Sequence, residues 1–235
     1  MKPLEGSIAL ITGASRGIGA ATAIKLARLG AHVVLTARTQ GGLEETDDAV
    51  RAVGGTATLL PLNLTDGAQI DLIGPTIHGR FGRLDVLVHA AAVLGPITPL
   101  GHIRDKDWTN ALTVNVTATL RLIRTTNPLL SIAPSGRAVV LTSNVAQHPR
   151  PFWGAYGATK AALDHLTLTW AAECADSALR VNLFDPGATA TKMRAEAMPG
   201  EDPSSLPTPA DVALKLMGLC LPTEERNGAL VRARD

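Results

Sequence analysis

Short runs rich in Val, Ile, Leu and Thr alternate with longer segments of helical period along this chain, and that alternation restricts its possible folds more than any other feature. Strand-like runs occupy residues 8–12, 32–36, 58–62, 86–89, 138–142, 180–184 and 229–231. Helix-like segments fall at 17–29, 43–53, 108–126, 155–175 and 209–220. Strands alternating with helices are joined by right-handed crossovers. The expectation is therefore one α/β domain over residues 1–235, doubly wound, with helices on both faces of a seven-stranded parallel sheet. Aromatic residues make up only 3% of the chain, so the core must come from Val, Ile, Leu and Ala, which suits strands buried on both faces.

Local signals support these boundaries. Gly30 stands where a helix end wants a positive φ, and Thr208-Pro209-Ala210-Asp211 has the form of a cap, a first-turn proline and an acidic third residue. The least regular stretch, 187–207, holds Pro199, Gly200, Pro203 and Pro207 between a strand end and a helix, and reads as a candidate substrate lid. Basic and acidic residues number 22 and 21 and are scattered, without the basic patch of a nucleic-acid binder. Cys174 and Cys220 form no disulfide framework or metal-ligand spacing, and no apolar run is long enough for a signal core or a membrane span. A cytoplasmic protein with no metal, nucleic-acid or membrane partner is expected.

Thr12-Gly13-Ala14-Ser15-Arg16-Gly17-Ile18-Gly19 follows the first strand and opens a helix. Glycines there let the backbone turn sharply and approach a pyrophosphate at the helix N-terminus. Residues 13–17 also spell the G-x-S-x-G elbow of hydrolases. That fold needs an oxyanion donor from an earlier strand and a late histidine. Here only a dozen or so residues precede Ser15, and the last histidine is His165, so the nucleotide reading is preferred. A carboxylate about twenty residues further on would bind the ribose 2′-hydroxyl of NAD. The second strand ends instead in Thr36-Ala37-Arg38. Arg38 and Arg16 can offer charge-assisted hydrogen bonds to a 2′-phosphate, which favours NADP(H) over NAD(H).

Tyr156, the only tyrosine, stands four residues before Lys160 in a helical segment, so both side chains leave one face. To act near neutrality a tyrosine hydroxyl must fall by about 2–3 pH units from about 10, equivalent to roughly 3–4 kcal/mol. A lysine charge ~4 Å away at an effective dielectric of about 20 contributes on the order of 4 kcal/mol. Ser143 follows the fifth strand, at the carboxyl edge where open α/β sheets hold ligands.

Taken together, Thr12-Gly13-x-x-x-Gly17-x-Gly19, Asn115, Ser143 thirteen residues before Tyr156, Tyr156-x-x-x-Lys160 and Pro186-Gly187 resemble the short-chain dehydrogenase/reductase family over essentially the whole chain. The resemblance implies a Rossmann-type fold and hydride transfer between NADP(H) and a carbonyl or alcohol substrate. Tyr156 would exchange the proton, Lys160 would lower its pKa and bind the nicotinamide ribose, Ser143 would orient the substrate oxygen, and Asn115 would anchor a relay water. Cofactor contacts are implied for Gly13, Ser15, Arg16, Gly17, Ile18, Gly19, Arg38, Asn63, Leu64, Ala90, Tyr156, Lys160, Pro186, Gly187, Thr189 and Thr191. Substrate contacts are implied for Ser143, Trp153 and Tyr156. The competing class is a non-catalytic NADPH-binding sensor or scaffold, against which the intact Asn115, Ser143, Tyr156 and Lys160 argue.

Two departures from the family pattern stand out. His89-Ala90-Ala91-Ala92 replaces the usual Asn-Asn-Ala-Gly, and Asn63 stands where many members have aspartate. His89 reads as a structural residue bonding neighbouring backbone. Asn63 can still accept a hydrogen bond from adenine. Leu94, Pro96, Phe152, Trp153, Met193 and Met198, with His148, suggest a mainly apolar substrate pocket and a small or medium apolar carbonyl compound. The family's habit of pairing long helices implies a homodimer or homotetramer.

Overall fold

A computed structural model describes residues 2–234. Seven strands form one parallel sheet: β1 (Ile8–Thr12), β2 (His32–Thr36), β3 (Thr56–Leu59), β4 (Val86–His89), β5 (Arg137–Leu141), β6 (Arg180–Asp185) and β7 (Leu230–Arg232), in the order β3-β2-β1-β4-β5-β6-β7. The doubly wound expectation holds. The chain leaves β1 toward β2 on one side and later returns to place β4 on the other, so the carboxyl ends of β1 and β4 flank the crevice where such sheets bind ligands.

Successive strand residues face opposite layers. Ala9, Ile11, Val33, Leu35, Val86, Val88 and Val139 enter one core, shared with α1 (Gly17–Arg28), α2 (Gln40–Ala52) and α9 (Pro209–Leu216). Leu10, Val34, Leu87, Ala138 and Val181 enter the other, against α4 (Ile73–Phe81), α6 (Ala118–Ser131) and α7 (Gly154–Glu173). Burial on both faces explains why these strands read as continuous apolar runs.

Several boundaries move. The third strand lies at Thr56–Leu59 rather than 58–62. Its pairing with β2 continues past Leu59, as Leu60 N–H to Leu35 and Leu62 N–H to Ala37, and Pro61 is accommodated between them because residue 61 turns its backbone nitrogen to the open edge of the sheet. The crossover from β3 to β4 is carried by α3 (Gly67–Asp71) and α4, neither of which the sequence pattern revealed; Gly67, Gly74, Pro75 and Gly79 mask their period. The predicted 108–126 helix is two helices, α5 (Asp105–Leu112) and α6, joined by a π-helical turn at Thr113–Thr117. The 187–207 stretch contains α8 (Lys192–Ala197), capped by the Thr191 side chain, and a 3₁₀ turn at Pro203–Ser205. Gly30 has φ +103°, and Thr208 with Asp211 forms the expected capping box.

Candidate active site

The glycine-rich turn is held from three sides. Gly13 has φ +68°, and a Cβ there would come within 2.9 Å of the Ala91 backbone beyond β4. A Cβ on Gly19 would overlap the Gly13 carbonyl as α1 begins. From below, α2 buttresses the turn: Thr46 donates to the Ala14 carbonyl at 2.8 Å, and Gly42 allows close approach to Ser15. The start of α1 has no side-chain cap and no acidic residue in its first turn, so its free N–H groups favour an anion.

A cavity of about 430 Å³ opens over this turn. Of the residues expected at the cofactor, Gly13, Ser15, Arg16, Gly17, Ile18, Gly19, Arg38, Asn63, Leu64, Ala90, Tyr156, Lys160, Pro186 and Thr191 line it. Four cationic side chains, Arg16, Arg38, Lys160 and Lys192, face the cavity, and none of its described lining residues is acidic. The Thr36 hydroxyl on its wall is buried without a partner among the described residues. Glycines that a Cβ would crowd, an uncapped helix start and a lining whose charged side chains are all cationic fit a phosphate-rich dinucleotide. Gly187 and Thr189 line a different cavity.

That second cavity, about 510 Å³, adjoins the first; Ile18, Thr142, Tyr156, Pro186, Thr191 and Met193 belong to both. Ser143 and Trp153 line it, as do Leu94 and His148. Pro96, Phe152 and Met198 do not; Phe152 is 55% and Met198 40% exposed, so they form no pocket wall. Trp153 packs edge-on against Tyr156 with ring centroids 6.1 Å apart. Sequence reasoning missed Thr142, Asp185, Arg150, Arg194, Arg232 and Arg234 in this lining. The arginines carry no local motif, and only the fold assembles them.

Tyr156 and Lys160 share a face of α7, both buried, with the Lys160 nitrogen 5.7 Å from the tyrosine ring centroid. Lys160 donates to the Leu141 carbonyl at 2.7 Å, and burial lowers its pKa to about 8 against the opposing pull of Asp164. The expected depression of Tyr156 is not what the protein's own groups produce. Burial first, then the carboxylates of Asp185 and Asp164, raise the phenol above its usual value. Burial and the two carboxylates, all absent from the sequence argument, outweigh the lysine.

Asn115 lies within the π-helical turn and lines neither cavity. Its side chain accepts from Val93 N–H and donates to the Val93 carbonyl, both at 2.9 Å, and donates to the Thr159 hydroxyl at 3.0 Å. Asn115 thus pins the loop after β4 to α7, one residue from Lys160. His89 is wholly buried, and its partners are side-chain hydroxyls rather than the expected backbone. Nδ1 lies 2.7 Å from Thr12 Oγ1, and Nε2 lies 2.9 Å from Thr119 Oγ1. The Thr119 hydroxyl donates to the Asn115 carbonyl at 2.8 Å, so Nε2 must carry the proton and Thr12 must donate to Nδ1. Burial, with Lys160 nearby, lowers His89 to about 3 and keeps it neutral. Ala92 needs no positive φ, so the missing glycine leaves no strain.

A family model described as short chain dehydrogenase matches residues 7–202. The chain belongs to that family. It is 36% identical to the uncharacterised oxidoreductase YciK of Escherichia coli K12 over 221 residues, 92% of this chain and 87% of that protein. It is 35% identical to 2,3-dihydro-2,3-dihydroxybenzoate dehydrogenase of Bacillus subtilis 168 over 193 residues, 82% of this chain and 74% of the relative. Among solved structures, a short chain dehydrogenase from Salmonella enterica serovar Typhi CT18 superposes with a TM-score of 0.96 at 33% identity, covering 100% of this chain and 98% of that one. One from Escherichia coli CFT073, complexed with NADPH, superposes with a TM-score of 0.95 at 33% identity, covering 100% and 99%. Family membership makes the chain an oxidoreductase of alcohol or carbonyl groups that uses a nicotinamide cofactor.

Proposed function

We propose that this NADP(H)-dependent oxidoreductase uses Tyr156 as the acid/base for hydride exchange between the nicotinamide and a carbonyl or alcohol substrate. The observation that carries this reading is the position of Tyr156, which forms a wall common to the glycine-turn cavity and to the cavity that holds Ser143. Gly13, Gly17, Gly19 and the start of α1 would hold the pyrophosphate, Arg16 and Arg38 the 2′-phosphate, and Asn63 and Leu64 the adenine side. Ala90, Ile18, Pro186, Gly187, Thr189 and Thr191 would bound the nicotinamide half. The cofactor supplies the hydride when bound.

Ser143 would donate a hydrogen bond to the carbonyl oxygen while the Tyr156 hydroxyl delivers the proton. The raised Tyr156 phenol keeps its proton at neutral pH, so the side chain is ready as an acid for reduction. Alcohol oxidation needs that proton removed and gains from rising pH. Lys160 orients the site from the Leu141 carbonyl and would bind the ribose. Residues 187–207, with α8, would close over the substrate.

No helix among the described residues is long and apolar enough to cross a membrane, and both cysteines are free and buried, which supports a cytoplasmic location. Trp108, Leu120 and Leu168 leave α5, α6 and α7 partly exposed, which supports pairing of these helices in a homodimer or homotetramer. Light scattering should give a mass of two or four chains; a monomer at micromolar concentration would refute it. For the chemistry, Tyr156→Phe should keep NADPH affinity and lose at least about 1,000-fold in turnover. Unimpaired turnover in that variant would overturn the mechanism.

A further inference from the structure

The second cavity has two kinds of wall. Leu94, Val145, Tyr156 and Ala197, backed by Trp153 and Met193, form an apolar cluster near Ser143. Around this lie Arg150 from the loop after β5, Arg194 from α8, and Arg232 and Arg234 from the end of the chain. One carboxylate, Asp185, is also in the lining, but it is buried and accepts from Gly187 N–H at 2.9 Å. Arg194 is spent on Glu201, which it grips through two hydrogen bonds of 2.6 and 2.7 Å. Arg150, Arg232 and Arg234 form no ion pair among the described residues, and Arg232 donates only to Gln147, at 3.2 Å. Against the single buried carboxylate of Asp185, these three arginines give the cavity a positively charged rim.

We infer that the substrate is an anionic carbonyl compound: an apolar spacer packs along Leu94, Trp153 and Met193, and a carboxylate or phosphate at its far end meets Arg150 and Arg232. This rests on the proposed reading of Ser143 and Tyr156 as the place where the carbonyl sits, and it adds an anionic end to the small or medium apolar carbonyl compound expected from the sequence. Guanidinium groups suit the task because their planar fork pairs with two anion oxygens at once. Both arginines are exposed, so the interaction draws the substrate in and holds it in ground and transition states alike. It should appear in KM more than in kcat.

The test compares straight-chain methyl-ketone acids of five to seven carbons with their methyl esters and with oxoalkyl phosphates of matched length, under saturating NADPH. The acid or the phosphate should exceed its neutral counterpart by roughly ten-fold or more in kcat/KM. The better of the two identifies the anion. Arg150→Gln combined with Arg232→Gln should bring the anionic compounds down to the level of the ester, with NADPH affinity unchanged. Esters equal to acids, or a preference that survives both substitutions, would overturn the inference. A calorimetric titration of the NADPH complex of Tyr156→Phe with the same acids separates the two readings. Acid binding that Arg150→Gln and Arg232→Gln abolish supports the anion site even where no compound is reduced, and that failure of turnover then counts against the role of Tyr156 alone. Absence of acid binding counts against the anion site.

Discussion

His89 shows how one buried side chain can tie a ligand-binding turn to a distant helix. It accepts a hydrogen bond from Thr12, at the start of the glycine turn, and donates one to Thr119, whose own hydroxyl donates to the Asn115 carbonyl in the π-helical turn. Because its folded pKa of about 3 lies below the unfolded 6.5, the folded state binds fewer protons in that window. Its contribution to stability is present in full above pH 6.5 and is lost as pH falls toward 3. Relative to His89→Asn, the wild type should therefore lose about 1.4 kcal/mol per pH unit across this range. Denaturant titrations of both proteins at several pH values check this, and parallel curves would contradict it. From the sequence, His89 was readable as a structural departure, but its partners were not, since Thr12 and Thr119 reach it only through strand and helix packing. The same limit applies to Tyr156 and Lys160. Their spacing on one helix face was legible, whereas the burial that chiefly raises Tyr156, and the Asp185 carboxylate that adds to it, depend on β6 and α7 meeting in three dimensions.

At the scale of elements, β1, β2 and β4 were legible to the residue, because β-branched runs bounded by turns leave little freedom of register. Elements with glycine or proline inside them were not. α3 and α4 escaped notice, and the π-helical turn that breaks the predicted 108–126 helix leaves no periodic trace. Such turns often mark functional sites, and this one carries Asn115. The loop leading into α7 is also under local strain. Phe152 has φ +72°, the left-handed region that only glycine enters freely, and it directly precedes Trp153 in the substrate cavity. With 55% of its surface exposed, its side chain adds little packing to offset a cost of about 1 kcal/mol. Phe152→Gly should be neutral or stabilising by up to about 1 kcal/mol in denaturant unfolding. A loss of more than that would show that the Phe152 ring holds the loop.

Over the whole molecule, the sheet order places two cavities side by side at the carboxyl edge, one cationic and glycine-lined, the other partly apolar with arginines at its rim. The first was largely legible because its residues are local to the turns after β1, β2 and β4. Of the second, Ser143, Trp153, Tyr156, Leu94, Met193 and His148 were legible as substrate residues and the arginines were not, because they come from three separate segments. The working of both cavities depends on which dinucleotide the first one takes. Titration of the wild type and of Arg38→Ala with NADPH and with NADH, followed by nicotinamide fluorescence, measures this directly. Wild-type protein should bind NADPH at least about ten-fold more tightly than NADH, and Arg38→Ala should remove most of that preference while leaving NADH affinity nearly unchanged. Equal affinities in the wild type, or equal losses for both dinucleotides in the variant, would contradict it.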